Sequence, residues 1–215
     1  MVGEFSYRNE VILAGQVSAP PAYSHTNHGE RFYKFTLRVL RLSRCADELV
    51  ILAGETLLRA FEVCADRRVR ITGELRSYNN RSGRGSRLVL AVLARTMEDG
   101  TQWEECNYIA LAGVLCKRPV RRSTPLGREI CDVMLAVNRR YGRGDYIPCI
   151  AWGALAERIG LLNVGDRLSF EGRIQSRTYR KMTEQGAQER VAYEVSVMNP
   201  LDAWENGNCI FSSTV

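Results

Sequence analysis

The 215 residues are 45 % hydrophobic and 25 % charged, the balance of a chain that folds around an apolar core, and no apolar run reaches the roughly 18 residues a membrane span needs. The start, Met1-Val2-Gly3-Glu4-Phe5, lacks the basic flank and apolar stretch of a secretory leader, so a cytoplasmic protein without a membrane partner is expected. The net charge is +6, and 27 of the 30 basic residues are arginine, the exceptions being Lys34, Lys117 and Lys181; a guanidinium both forks onto oxyanions and stacks on flat rings, so an anionic partner fits.

In chain order, a strand-rich stretch opens the sequence and includes Asn9-Glu-Val-Ile-Leu-Ala-Gly15. It leads to a segment with Leu57, Leu58, Phe61, Cys64 and Ala65 at helical spacing. More strand follows, with Ile71-Thr-Gly-Glu-Leu-Arg-Ser77, up to a polar, turn-rich junction near 96–106. Beyond it a strand is expected at 107–116, then a basic loop from Lys117 to Arg128 and a strand at 129–140. The turn Tyr141-Gly142-Arg143-Gly144 leads to a strand at 145–152. Leu155, Ala156, Ile159 and Leu162 mark a helix over 154–163, and strands close the set at 167–178 and 190–198.

The two halves repeat each other. At an offset of 98, Asn9, Leu13, Ala14, Gly15, Pro21, Thr26, Gly29, Leu37 and Val39 meet identical residues between Asn107 and Val137. After one inserted residue, Arg68, Gly73 and Ser77 match Arg167, Gly172 and Ser176. Two domains of one fold follow, at 1–98 and 106–200, with a short C-terminal tail at 201–215. Five short strands with a helix between the third and fourth is the order of an OB-fold barrel, so the expected class is all-β with two tandem five-stranded barrels. Another five-stranded barrel or a split α+β sheet shares this periodicity.

Alternation sorts the side chains of the strands. In 145–152, Ile147, Cys149 and Ala151 share one face, and Tyr146, Pro148, Ile150 and Trp152 the other. In 167–179, Leu168, Phe170, Gly172 and Ile174 face inward, leaving Arg173, Gln175, Arg177 and Tyr179 outside. Exposed rings beside arginines suit an unpaired nucleic-acid strand, whose bases offer π-faces that duplexes hide. A register slip of one would turn Tyr146 inward, and Trp152 could instead cap the barrel.

The second half is similar to the bacterial single-stranded DNA-binding proteins. The stretches that carry the likeness are Asn107-Tyr-Ile-Ala-Leu-Ala-Gly113, Thr124-Pro-Leu-Gly127, Leu135-Ala-Val-Asn-Arg-Arg-Tyr141, Asp145-Tyr-Ile-Pro-Cys-Ile-Ala-Trp-Gly153, Leu155-Ala-Glu157, Val164-Gly-Asp166 and Glu171-Gly-Arg-Ile-Gln-Ser-Arg-Thr-Tyr179. The first half resembles a diverged copy. The resemblance implies sequence-tolerant binding of single-stranded DNA in replication, recombination or repair, by a non-enzyme of the bacterial cytoplasm and nucleoid. It also implies a homodimer that gathers four OB-folds. Tyr141, Tyr146, Trp152 and Tyr179 occupy positions where relatives stack bases, and Tyr78 is the one comparable ring in the first half.

Phosphate contacts are expected from Lys117, Arg118, Arg121 and Arg122, from Arg139, Arg140 and Arg143, and from Arg173, Arg177, Arg180 and Lys181. Arg76, Arg81 and Arg84 are expected to serve the same way in the first half, with Arg87 beside them. Poorer in aromatics, the first half is expected to add backbone contacts or to build the assembly. Seven cysteines in no C-x-x-C spacing read as reduced thiols. His25 and His28 stand alone, so no metal, cofactor or catalytic group is expected. Many bacterial relatives end in an acidic, hydrophobic tail tip that recruits repair and replication enzymes; Asn206-Gly-Asn-Cys-Ile-Phe-Ser-Ser-Thr-Val215 has no acidic tip, so the resemblance does not extend to that recruitment and protein partners stay open. A primosome accessory working through protein contacts, or a subunit presenting nucleic acid to an enzyme, remain open alternatives.

Overall fold

The computed structural model describes residues 7–41, 43–80, 86–139, 142–183, 186–205 and 208–212. In chain order its elements are β1 (Arg8–Val17), β2 (Ala22–Asn27), β3 (Glu30–Leu40), β4 (Ala46–Gly54), α1 (Glu55–Ala60), β5 (Arg68–Asn79) and β6 (Leu88–Asp99). The second half continues with β7 (Cys106–Leu115), β8 (Val120–Ser123), β9 (Glu129–Asn138), β10 (Gly144–Trp152), α2 (Ala154–Ile159), β11 (Arg167–Thr183), β12 (Gly186–Glu205) and β13 (Asn208–Ser212). The chain divides into two compact units. One joins Glu10–Tyr108 to Ile174–Tyr193, the outer part of the β11–β12 hairpin. The other joins Ile109–Arg173 to the two chain ends.

In the first unit five strands close a circuit. β1 pairs antiparallel with β5 and, through Gln16↔Arg38 and Val17↔Leu37, with β3. β3 pairs antiparallel with β4, β4 runs parallel to β6 at Ile51↔Val92, and β6 returns to β5. The second unit repeats this connectivity. β7 pairs with β9 at Val114↔Ala136 and Leu115↔Leu135, β9 with β10, β10 parallel to β12 at Cys149↔Val195, and β11 with β7. A closed five-stranded barrel with a parallel third and fifth strand and a helix after the third is the OB-fold. Both expected barrels are present.

The period-2 apolar pattern builds each core. Leu13, Leu37, Ile51, Ile71 and Val92 are buried in the first barrel, and Leu111, Leu135, Ile147, Phe170 and Val195 in the second. Glycine permits the tightest crossings. A Cβ on Gly113 would lie 2.5 Å from the Ala136 carbonyl oxygen, and one on the equivalent Gly15 would press on Arg38. There the first strand of each barrel bends across its second, and only a bare Cα fits.

Three expectations are corrected. The basic loop Lys117–Arg128 contains β8, an edge strand paired along β9 from Val120↔Asp132 to Ser123↔Glu129. All four of its residues are exposed, so no apolar alternation announced it. The helices are shorter than their apolar spacing suggested. After Ala60 the chain turns extended at Phe61, and Cys64 and Ala65 are exposed. Asp66, at φ 65°, brings the backbone back to β1, where its N–H donates to the Val17 carbonyl; that pairing competes with a longer helix. Finally, the segment read as a tail continues β12 to Glu205 and turns into β13, with Asp202 opposite Ser212.

Candidate nucleic-acid interface

β10 lies between β9 and β12, with its inner face packed into the second barrel. Ile147, Cys149 and Ala151 are buried, while Tyr146 and Trp152 are 54 % and 37 % exposed. The expected alternation therefore holds for both rings. Ile150, read as outward, is covered, so the open part of this face consists of Tyr146, half-buried Pro148 and Trp152. Tyr146 stands opposite Ala136 and Trp152 opposite Ile130, and the same rung continues to Arg122 on β8.

The cations of this unit fall into two groups. Lys117, Arg118, Arg121 and Arg143 are exposed and make no ion pair among the described residues. The stem of Arg121 lies against Gly160, just beyond α2. Arg122 and Arg139 are engaged by carboxylates. Arg122 donates from Nε and Nη2 to Asp132 at 2.5 and 3.1 Å on the exposed edge. Arg139 donates from Nε to Asp145 at 2.7 Å and from Nη2 at 2.5 Å, and Asp145 is fully buried. A buried carboxylate needs a cation beside it, so Arg139 anchors the hairpin and is poorly placed to meet a phosphate. The first barrel has the same pair at the same offset, Arg41 with Asp47. Burial pushes the Asp47 carboxyl up. The hydrogen bonds from Arg41 and from the Ser176 N–H and hydroxyl outweigh it and hold Asp47 below the usual carboxylate range.

Tyr179 and Arg177 belong to the unit of the first barrel. The Arg177 guanidinium lies 5.8 Å from the centroid of the half-buried Tyr179 ring. Tyr78 is exposed in the same unit, whereas Arg76 is largely buried and paired with Glu74, which redirects it from phosphate to the barrel surface. Arg173 is half-buried, and its Nε has no hydrogen-bond partner among the described residues. Arg87 is exposed. Tyr141, Arg140, Arg81 and Arg84 lie outside the described residues, as do the side chains of Arg180 and Lys181 on β11.

Sequence reading missed a group of rings on the β2–β3 hairpin. His25 stacks on Phe32 with centroids 5.2 Å apart and planes 9° apart, and Tyr23 meets Tyr33 edge-on at 6.0 Å. The signal was the run Tyr23-Ser-His25 facing Phe32-Tyr33 across a His28-Gly29 turn with both φ positive, a hairpin signature.

Tandem five-stranded barrels with this strand pairing define an OB-fold protein. Residues 106–200 match the single-strand binding protein family. Single-stranded DNA-binding protein 1 of Staphylococcus aureus is 31 % identical over 112 residues, 47 % of this chain and 66 % of that one. Single-stranded DNA-binding protein A of Bacillus subtilis is 34 % identical over 86 residues, covering 37 % and 50 %. The chain thus spans about half to two thirds of the length of the curated relatives it matches. The crystal structure of the single-stranded DNA binding protein from Thermus aquaticus superposes with a TM-score of 0.72 at 20 % identity, over 90 % of this chain and 92 % of that one, which establishes the fold. The match to the single-strand binding protein family covers the second barrel, residues 106–200.

Proposed function

We propose that this chain binds single-stranded DNA non-catalytically and with little sequence preference, shielding it in replication, recombination or repair. One observation carries the reading: Tyr146 and Trp152 offer open rings on the outer wall of a barrel whose neighbouring strand residues are buried. Unpaired bases stack on such rings, each contributing about 1–3 kcal/mol. Lys117, Arg118, Arg121 and Arg143, with no ion pair among the described residues, supply cations that phosphates meet, with release of counterions. Relatives named single-stranded DNA-binding proteins support this partner. Each barrel engages on the order of 4–16 nucleotides, and a homodimer in the bacterial cytoplasm, at the nucleoid, would gather four barrels.

Titration of the full chain with dT oligomers at two salt concentrations tests the proposal. Binding should quench tryptophan emission and weaken as salt rises. Affinity that ignores salt, or that requires one particular sequence, would exclude it.

A further inference from the structure

We infer that the first barrel has its own base-stacking platform, formed by Phe32 and His25, with Lys34 and Arg38 as its phosphate contacts. The inference rests on the reading that the chain binds single-stranded DNA. It differs from the sequence expectation, which gave the first barrel few rings and an accessory part.

One rung is equivalent in the two barrels. In the second, Trp152 on β10 pairs with Ile130 on β9. Moving back by 98 residues, Gly54 on β4 pairs with Phe32 on β3. The ring has changed strands and kept its rung. Position 54 carries no ring, and the carboxylate end of Glu30 lies over it instead. Directly opposed positions on neighbouring strands lie about 5 Å apart, so a ring on either strand covers the same patch of wall.

A second ring then joins the first. The register of β2 against β3 shifts between Tyr23 and His25, which sets His25 opposite Phe32. The second barrel has no such shift, and Arg122 occupies that place. His25 is exposed, and its ring lies flat on the half-buried Phe32. The pair is the start of a stack that a third flat ring can extend, and an unpaired base is such a ring.

Charge along the strand agrees. Phe35, Leu37 and Val39 point into the core, so Phe32, Lys34, Thr36 and Arg38 share the outer face of β3. Lys34 and Arg38 are exposed and have no ion pair among the described residues. Arg31, on the other face, is held by Glu55 through Nε and Nη2 at 3.0 and 2.7 Å. Two free cations therefore follow the stacked rings along one strand, in the order a backbone with splayed bases requires. Glu30 beside Gly54 sets the limit of the path at the turn.

Photo-crosslinking tests this on the full chain. The probe is a dT oligomer of about 30 nucleotides, long enough for two barrels, with 5-iododeoxyuridine substituted along it. Crosslinks mapped by mass spectrometry should fall at His25 or Phe32 as well as in the 146–152 segment. Phe32→Leu, which keeps an apolar side chain on the rung, should lower affinity for this oligomer about 5- to 150-fold. Phe32→Tyr should restore it. Crosslinks confined to 146–152, together with unchanged affinity of Phe32→Leu, would overturn the platform and leave the proposed function standing. No crosslink at either place, with no salt-dependent binding, would overturn both.

Discussion

Tyr146 projects from β10 with over half its surface in water, so truncating it removes little buried surface from the barrel. Tyr146→Ala should leave the melting temperature within a degree or two and weaken dT binding by about 1–3 kcal/mol. Trp152 is more deeply seated. Trp152→Ala should weaken binding similarly and also destabilise the fold by about 1–3 kcal/mol, less than a fully buried ring would. Fluorescence titration beside thermal melting separates the two effects. Arg139 and Arg143 should part in the opposite sense. Arg139→Ala strands the buried Asp145 and should cost about 3 kcal/mol of stability, while Arg143→Ala should act on the salt dependence of binding. Asp47 sets an acid limit. Its carboxyl is depressed in the folded state, so its stabilisation is complete above the unfolded value of about 3.9 and is lost as pH falls through the lower native value. Urea melts between pH 6 and 2.5 should show stability falling below about pH 4, with a shallower fall in Asp47→Asn. Among the thiols, burial, with a smaller push from Asp132, raises Cys131 to about 11, and burial raises Cys149 further still. A thiol reagent should label exposed Cys45 and Cys64 well before either.

At the scale of strands and hairpins, the two barrels share their tightest points. Gly73 and Gly172 both lie against a carbonyl of the neighbouring strand, Leu93 and Ser196 respectively. Gly172→Ala must push backbone apart and should destabilise by about 1–3 kcal/mol, read by chemical denaturation. These glycines were legible as repeat identities, because a close crossing tolerates no substitute. On β10 the outward Tyr146 and Trp152 were legible as well, since a barrel strand must alternate, whereas Gln175 of β11, read as outward, is buried. β8 was not: an exposed edge strand buries nothing, so Val120-Arg-Arg-Ser123 reads like a loop. Nor was the Arg139–Asp145 pair, six residues apart and joined only because the hairpin folds them together. The pairing of His25 with Phe32 depends on a register shift in β2, which no local spacing in the sequence marks.

For the whole molecule, charge and assembly give the testable quantities. If Lys117, Arg118, Arg121 and Arg143 each meet a phosphate, replacing all four with alanine should make the slope of log K against log salt shallower by about 3, at about 0.7 per contact on a single strand. An unchanged slope would assign those cations elsewhere. Sedimentation should report twice the 24.3 kDa chain mass if four barrels assemble from two chains. By itself the sequence determined the number of barrels, their strand order and which rings of β10 face out, because a repeat of identities and a two-residue period are properties of the chain. Tertiary structure alone decided which arginines are free. A guanidinium is available to phosphate only where no carboxylate has been folded against it, and that depends on pairings between strands that are distant in sequence. It also decided that the first barrel bears a ring on the rung where its counterpart strand has lost one, since neighbouring strands share a rung only once the barrel closes.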